Sequence, residues 1–135
     1  MEEDKQLERL YDYTKFHIGI YLSAGGGLAA LISTAAEGNK AEFIKSLIGM
    51  PQALVLSFVF MVLAATAGAI VATSTIESST FQSFMESKQG AYGFKVFYGK
   101  TWVSIEHACF WISLLWLAIA IFSAEAVKAW VFGCH

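Results

Sequence analysis

The sequence predicts an all-α membrane protein: three transmembrane helices, short interfacial helices, and a long N-terminal helix extending into the cytoplasm. Three observations carry this expectation. First, the apolar runs Phe16 to Ala36, Ala53 to Thr75 and Trp102 to Ala124 fill about half of the chain. Each has the roughly 20 residues that an α-helix, rising about 1.5 Å per residue, needs to cross a bilayer core of about 30 Å. Second, no run contains Pro, and Glu106 is the only residue of strong charge inside any of them. Third, 56% of the 135 residues are hydrophobic and the mean hydropathy is +0.55, which is too apolar for an ordinary soluble domain. The chain reads as one transmembrane domain over residues 1–135, and no segment outside the spans is long enough for a separate soluble enzyme domain.

The elements follow in order. Leu7, Leu10, Tyr11 and Ile18 keep helical spacing, and Glu2, Glu3 and Asp4 suit a helix N-terminus through the macrodipole. One helix is expected from about residue 3 to 36, with Gly38 as its C′ residue. The acidic leader and the long apolar run argue for a retained span rather than a cleaved signal peptide. Asn39 and Glu42 form a variant capping box. Behind it, Phe43, Ile44, Leu47 and Ile48 make the apolar face of a short interfacial helix. Gly49 and Pro51 punctuate the turn into the second span. Ser79 and Gln82 read as a second capping box, for a helix that Gly90 stops. The aromatic, basic stretch from Ala91 to Lys100 then leads to Thr101 as a cap and Trp102 as an interfacial anchor.

Net charge is −2, and its distribution is more informative than its size. With the N-terminus inside, Lys5, Arg9, Lys15, Lys88, Lys95 and Lys100 lie on the cytoplasmic side, and Lys40, Lys45 and Lys128 lie outside. The positive-inside rule favours this orientation. Cys109 lies within the third span and Cys134 beside the C-terminus, and neither has the spacing of a metal site or a redox pair.

Small residues suggest where helices meet. Ser23, Gly27, Ala30 and Thr34 form one ridge, beside the triplet Gly25, Gly26 and Gly27. Ala64, Gly68 and Ala72 form a second. Such ridges let membrane helices approach closely. They fit packing of the first two spans within one subunit, packing between subunits about a symmetry axis, or a hinge. Three helices alone cannot enclose a usable water path, so conduction would require a homo-oligomer.

His17, Glu106 and His107 are the ionisable residues expected inside the bilayer, at similar depth. Such groups either snorkel to the interface or face a bundle interior or a cavity, where they mark ion pathways or gates. Glu106 and His107 point about 100° apart on a helix, so one of them is expected to meet His17. In the inner loop, Lys88, Lys95 and Lys100 interleave with Tyr92 and Phe94. This pattern suits headgroup anchoring, or contact with a cytosolic anionic ligand such as a nucleotide or oligonucleotide. No phosphate-binding loop, zinc-protease motif or nucleophile elbow is present, so no catalytic residue, enzyme activity, metal or cofactor is expected.

Three functional readings follow. The first is an oligomeric membrane channel or membrane-permeabilising effector, gated by a cytoplasmic ligand or by a soluble regulatory protein. The second is a non-catalytic membrane anchor or electron-transfer subunit of a larger complex, with His17 or His107 ligating haem. The third is a structural membrane partner that docks a soluble protein. In layout, with Leu10-Tyr-Asp-Tyr-Thr-Lys-Phe-His17 leading directly into the glycine-rich span, the chain resembles the small multi-span membrane effectors of bacterial anti-phage defence systems. The resemblance implies an inner-membrane channel, multi-pass with a cytoplasmic N-terminus, that opens on a cytosolic signal.

Overall fold

A computed structural model describes residues 2–36, 42–91 and 94–133. The elements in chain order are α1 (Glu2–Ala36), α2 (Glu42–Leu47), α3 (Pro51–Glu77), α4 (Phe81–Glu86), β1 (Lys88–Gln89), β2 (Phe97–Tyr98), α5 (Gly99–Phe122) and α6 (Glu125–Phe132). Three stretches are long and apolar enough to cross a membrane: Lys5–Ala36, Pro51–Glu77 and Gly99–Phe122. They are the three spans expected from the hydropathy. Their length is set by composition, because strong helix formers and apolar residues run without a Pro between them.

The three long helices run up, down and up. Gly68 of α3 lies beside Ile18 of α1, and Met61 beside Gly25, so α3 descends as α1 rises. Ser57 meets Ser113 and Gly49 meets Ala120, so α5 rises against α3. The end that holds the start of α1, the end of α3 and the start of α5 is here the near end, and the other is the far end.

α3 is the central helix, packing against both α1 and α5. Its buried positions, from Ala53 through Met61 and Gly68 to Thr75, lie on more than one face. A helix with neighbours on two sides needs apolar surface nearly all round, and α3 accordingly lacks a polar face. The outward surface of the bundle is also apolar. Leu22, Val59, Leu63, Trp111 and Leu115 are all exposed there, which fits a surface whose solvent is lipid rather than water.

Polar side chains pin the helices at defined heights. Toward the far end, Ser57 and Ser113 are both fully buried. Each hydroxyl donates to the other's backbone carbonyl, over 2.9 and 2.7 Å. The turn before α3 is tied down too: the Gly49 amide donates to the Ala120 carbonyl over 2.9 Å.

Several local expectations shift. The α4 cap is Thr80 rather than Ser79; its side chain accepts from the Ser83 amide over 3.1 Å. Gln82 instead donates to Glu86 within the helix. α4 ends at Glu86, before Gly90. Gly90 serves the following turn, where any Cβ would collide with the Phe94 carbonyl oxygen. The stretch read as a loop contains a β-hairpin, with Lys88 opposite Tyr98 and Gln89 opposite Phe97. α5 begins at Gly99, ahead of Thr101. It ends at Phe122, and a separate helix, α6, follows. Gly38, Asn39 and Cys134 lie outside the described residues.

Candidate functional site: a buried carboxyl between the helices

Glu106 is 1% exposed. It projects from the first third of α5 into the junction of all three long helices. Its carboxylate needs space, and Gly68 provides it. A Cβ at position 68 would stand 3.4 Å from Glu106 Cδ and Oε1, and 3.1 Å from Ile18 Cγ1. Gly68 is therefore a notch within the helix bundle that admits Ile18 from one side and the carboxyl group from the other.

Among the described residues, only one hydrogen bond reaches the carboxyl group. The Tyr21 hydroxyl donates to Oε1 over 3.1 Å, and Oε2 has no partner. Tyr21 is 1% exposed and packs against Phe110. Thr14 is buried on the same stripe of α1, at helical spacing below Ile18 and Tyr21, and its hydroxyl is also unpartnered. Buried polar groups in native structures are nearly always paired, and here two unpartnered atoms, one on α1 and one on α5, lie in the same half of the bundle.

A ring cluster sits beside the carboxyl group. Tyr13, His17 and Tyr21 recur every four residues on α1, and His107 faces them from α5. His17 Nδ1 donates to the Tyr13 carbonyl over 2.8 Å, and His107 Nδ1 donates to the Val103 carbonyl over 2.9 Å. A carbonyl only accepts, so Nδ1 carries the proton in each ring. In neutral His107, Nε2 then accepts from the Tyr13 hydroxyl, at 3.1 Å. The His17 and His107 ring centroids are 6.2 Å apart. Haem ligation needs a ring nitrogen with a bare lone pair. His107 has none in this arrangement, while His17 Nε2 has no hydrogen-bond partner among the described residues. Among those residues, no group of three His, Cys, Asp or Glu side chains is placed to hold a metal ion.

The structure thus brings His17, Glu106 and His107 to one level, and the pairings differ from the direct His17 contact considered for Glu106. Glu106 bonds to Tyr21, and His107 is the one that approaches His17. Tyr13, Tyr21 and Thr14 were missed in the sequence. The signal that could have found them is the four-residue recurrence of Tyr13, His17 and Tyr21 leading into an apolar run.

The packing residues divide between two surfaces. Ala64 and Gly68 are buried among the chain's own helices and Ala72 is half-buried. Gly25 is buried, and a Cβ there would meet Met61 at 3.8 Å. Gly26 and Gly27 are exposed, with nothing within 4 Å of where a Cβ would be. The loop residues Lys88, Lys95, Lys100 and Phe94 are exposed on the hairpin and the start of α5, separate from the buried cluster. Tyr92 lies outside the described residues. No family model, curated protein or solved structure matches the chain.

Proposed function

We propose that this chain is the protomer of an oligomeric channel or permeabilising effector in a bacterial inner membrane, with its N-terminus and hairpin on the cytoplasmic side. The observation that carries the reading is Glu106: a carboxyl group sealed among three apolar helices, with one hydrogen bond and one orphaned oxygen. An ionisable group at such a depth costs several kcal/mol, and membrane proteins tolerate that cost mainly where ion passage or gating needs the group. Since Glu106 lies inside the protomer, it lines no pore between protomers in this conformation. The arrangement fits a closed state. The Tyr21–Glu106 and Tyr13–His107 bonds tie α1 to α5, and their rupture on a cytosolic signal would let α1 part from α5 and turn the carboxyl group toward a water path.

Oligomer contacts are assigned to the outer stripe Ser23, Gly27, Ala30 and Thr34, which is exposed along α1. Ala64 and Gly68 are left with the packing role inside the protomer. A cytosolic anionic ligand or regulatory protein would act on the near end, where α4 packs against both α1 and α5.

The test is Glu106→Gln, which keeps the shape and the acceptor for Tyr21 while removing the capacity for charge. Planar-bilayer currents and viability on expression should both change relative to wild type. Glu42→Gln, in the exposed first turn of α2, should leave them alone. Identical currents and viability for wild type and Glu106→Gln would remove Glu106 from any gate.

A further inference from the structure

We infer that the β1–β2 hairpin is a membrane-surface probe that seats on anionic phospholipid headgroups; the inference rests on the membrane orientation proposed above. Its construction is specific. Phe97 and Tyr98 are consecutive strand residues, so their side chains leave opposite faces of the hairpin. Both are nevertheless exposed, at 44% and 45%. Only Gln89 of the four strand residues is buried. Gln89 shares the face of Phe97, and Phe97 meets Trp102 edge-on at 5.4 Å between ring centroids, so that face is partly covered while the face of Lys88 and Tyr98 is open. The adjoining segment exposes Phe94 at 75% and Val96 at 56%.

The hairpin is well held despite this apolar surface. The Val96 amide donates to the Gln89 carbonyl over 3.1 Å, the Gly99 amide to the Ser87 carbonyl over 3.1 Å, and the Trp102 indole to the Gln89 carbonyl over 3.0 Å. An ordered element with Phe94, Val96, Phe97 and Tyr98 all exposed suits an amphipathic surface as its partner. β2 runs into α5 with no linker, since Tyr98 is followed by the first helical residue, Gly99. The hairpin therefore stands within about one helical turn of the apolar run that starts at Trp102, at the boundary of the bilayer core.

Charge selects the lipid. From Ser87 to Thr101 the chain carries Lys88, Lys95 and Lys100 and no acidic residue. All three lysines are exposed. Aromatic rings at headgroup depth with lysines reaching the phosphates is the chemistry of an anionic leaflet. A stacked nucleotide is the competing partner, and the divergence of Phe97 and Tyr98 gives no common face on which a base would lie.

The test uses the full chain with Cys109→Ala and Cys134→Ser, carrying one spin label at Phe94→Cys, in lipid nanodiscs. Accessibility to oxygen and to a water-soluble nickel chelate reports depth. In discs containing phosphatidylglycerol the label should be open to oxygen and shielded from nickel; in pure phosphatidylcholine it should move toward water. Each lysine near an anionic surface is worth about fivefold in partitioning, so the three together shift the balance roughly a hundredfold. Replacing Lys88, Lys95 and Lys100 with Gln should abolish the difference between the lipids. Nickel access in both lipids overturns the inference, and so does equal shielding in both, which would mean insertion without charge recognition. Shielding in phosphatidylcholine discs only on addition of ATP or a short oligonucleotide overturns it in favour of a soluble ligand. A label at Val59→Cys, exposed in the first third of α3, separates the premises. If that label is open to nickel, the membrane reading itself fails; if it is shielded while the Phe94 label is not, only the hairpin inference does.

Discussion

Replacing Gly68 with Ala adds one methyl group at the crossing of α1, α3 and α5, and the expected sign can be worked out from distances. The new Cβ would lie 3.1 Å from Ile18 Cγ1 and 3.4 Å from Glu106 Cδ. Carbon atoms rest comfortably at about 3.5–4.0 Å, so half-buried Ile18 must retreat by some tenths of an ångström. Such overpacking costs about 1–3 kcal/mol, against a helix-propensity gain of up to about 1 kcal/mol. The net expectation is a loss of about 1 kcal/mol. Gly26→Ala supplies the matched control, because nothing lies within 4 Å of its Cβ position and only the gain of up to about 1 kcal/mol applies. The two identical chemical changes should thus move stability in opposite directions. Reversible unfolding in mixed detergent micelles, followed by circular dichroism, measures both. Ile18→Ala removes the atom in closest conflict, so the pair Gly68→Ala and Ile18→Ala should show a coupling of about 0.5–3 kcal/mol. A Gly68→Ala variant as stable as wild type, with no coupling to Ile18, would refute the notch.

Other outcomes follow from the same geometry. Tyr21→Phe strips the last donor from Glu106 and should cost about 1–3 kcal/mol by the same unfolding assay. Its effect should also be non-additive with that of Glu106→Gln. Ser57→Ala breaks one half of the reciprocal serine bonds and should cost about 0.6–1.7 kcal/mol, the range for hydrogen bonds between membrane helices. Gly27→Leu should shift native mass spectra toward the monomer while leaving the helical spectrum intact; an unchanged oligomer would take the outer stripe of α1 out of the interface. Gly90→Ala should open the hairpin turn against the Phe94 carbonyl, and faster tryptic cleavage after Lys95 would report it.

The parts of this fold legible in the sequence are those written in long-range composition. Span length and number follow from unbroken apolar runs, because lipid leaves a helix no alternative that satisfies its backbone. The level of His17, Glu106 and His107 was legible too, since two helices entering from one side place equal offsets at equal depth. Partner choice was not. Glu106 selects Tyr21 rather than His17 through helix rotation, which depends on the notch at Gly68, and a glycine at four-residue spacing looks the same whether its neighbour is in the same subunit or the next. The hairpin was hidden for another reason. Its pairing comprises two residues on each strand, too few for alternation to register, and its register is set by one turn at Gly90 and by the indole bond from Trp102. α6 escaped notice because it is only 8 residues long and starts at Glu125, immediately past the third apolar run, with no side-chain cap to announce it.

The reciprocal serine bonds have a mechanical meaning. They fasten α3 to α5 in the far half of the bundle, whereas among the described residues the side-chain hydrogen bonds from α1 to α5 lie at Tyr13 and Tyr21, in the near half. Polar bonds thus join α1 to α5 in the near half and α3 to α5 in the far half, while beyond Tyr21 α1 is held by apolar packing, with Leu28 in the core and Ile32 against it. From Tyr21 to Thr34 this apolar-packed arm measures about 20 Å. Sideways pressure from the surrounding lipid, applied near Thr34, would act through that arm on the Tyr21–Glu106 bond as a crowbar acts on a nail. A change in bilayer tension or thickness would therefore load the one polar contact that the apolar core can least afford to lose.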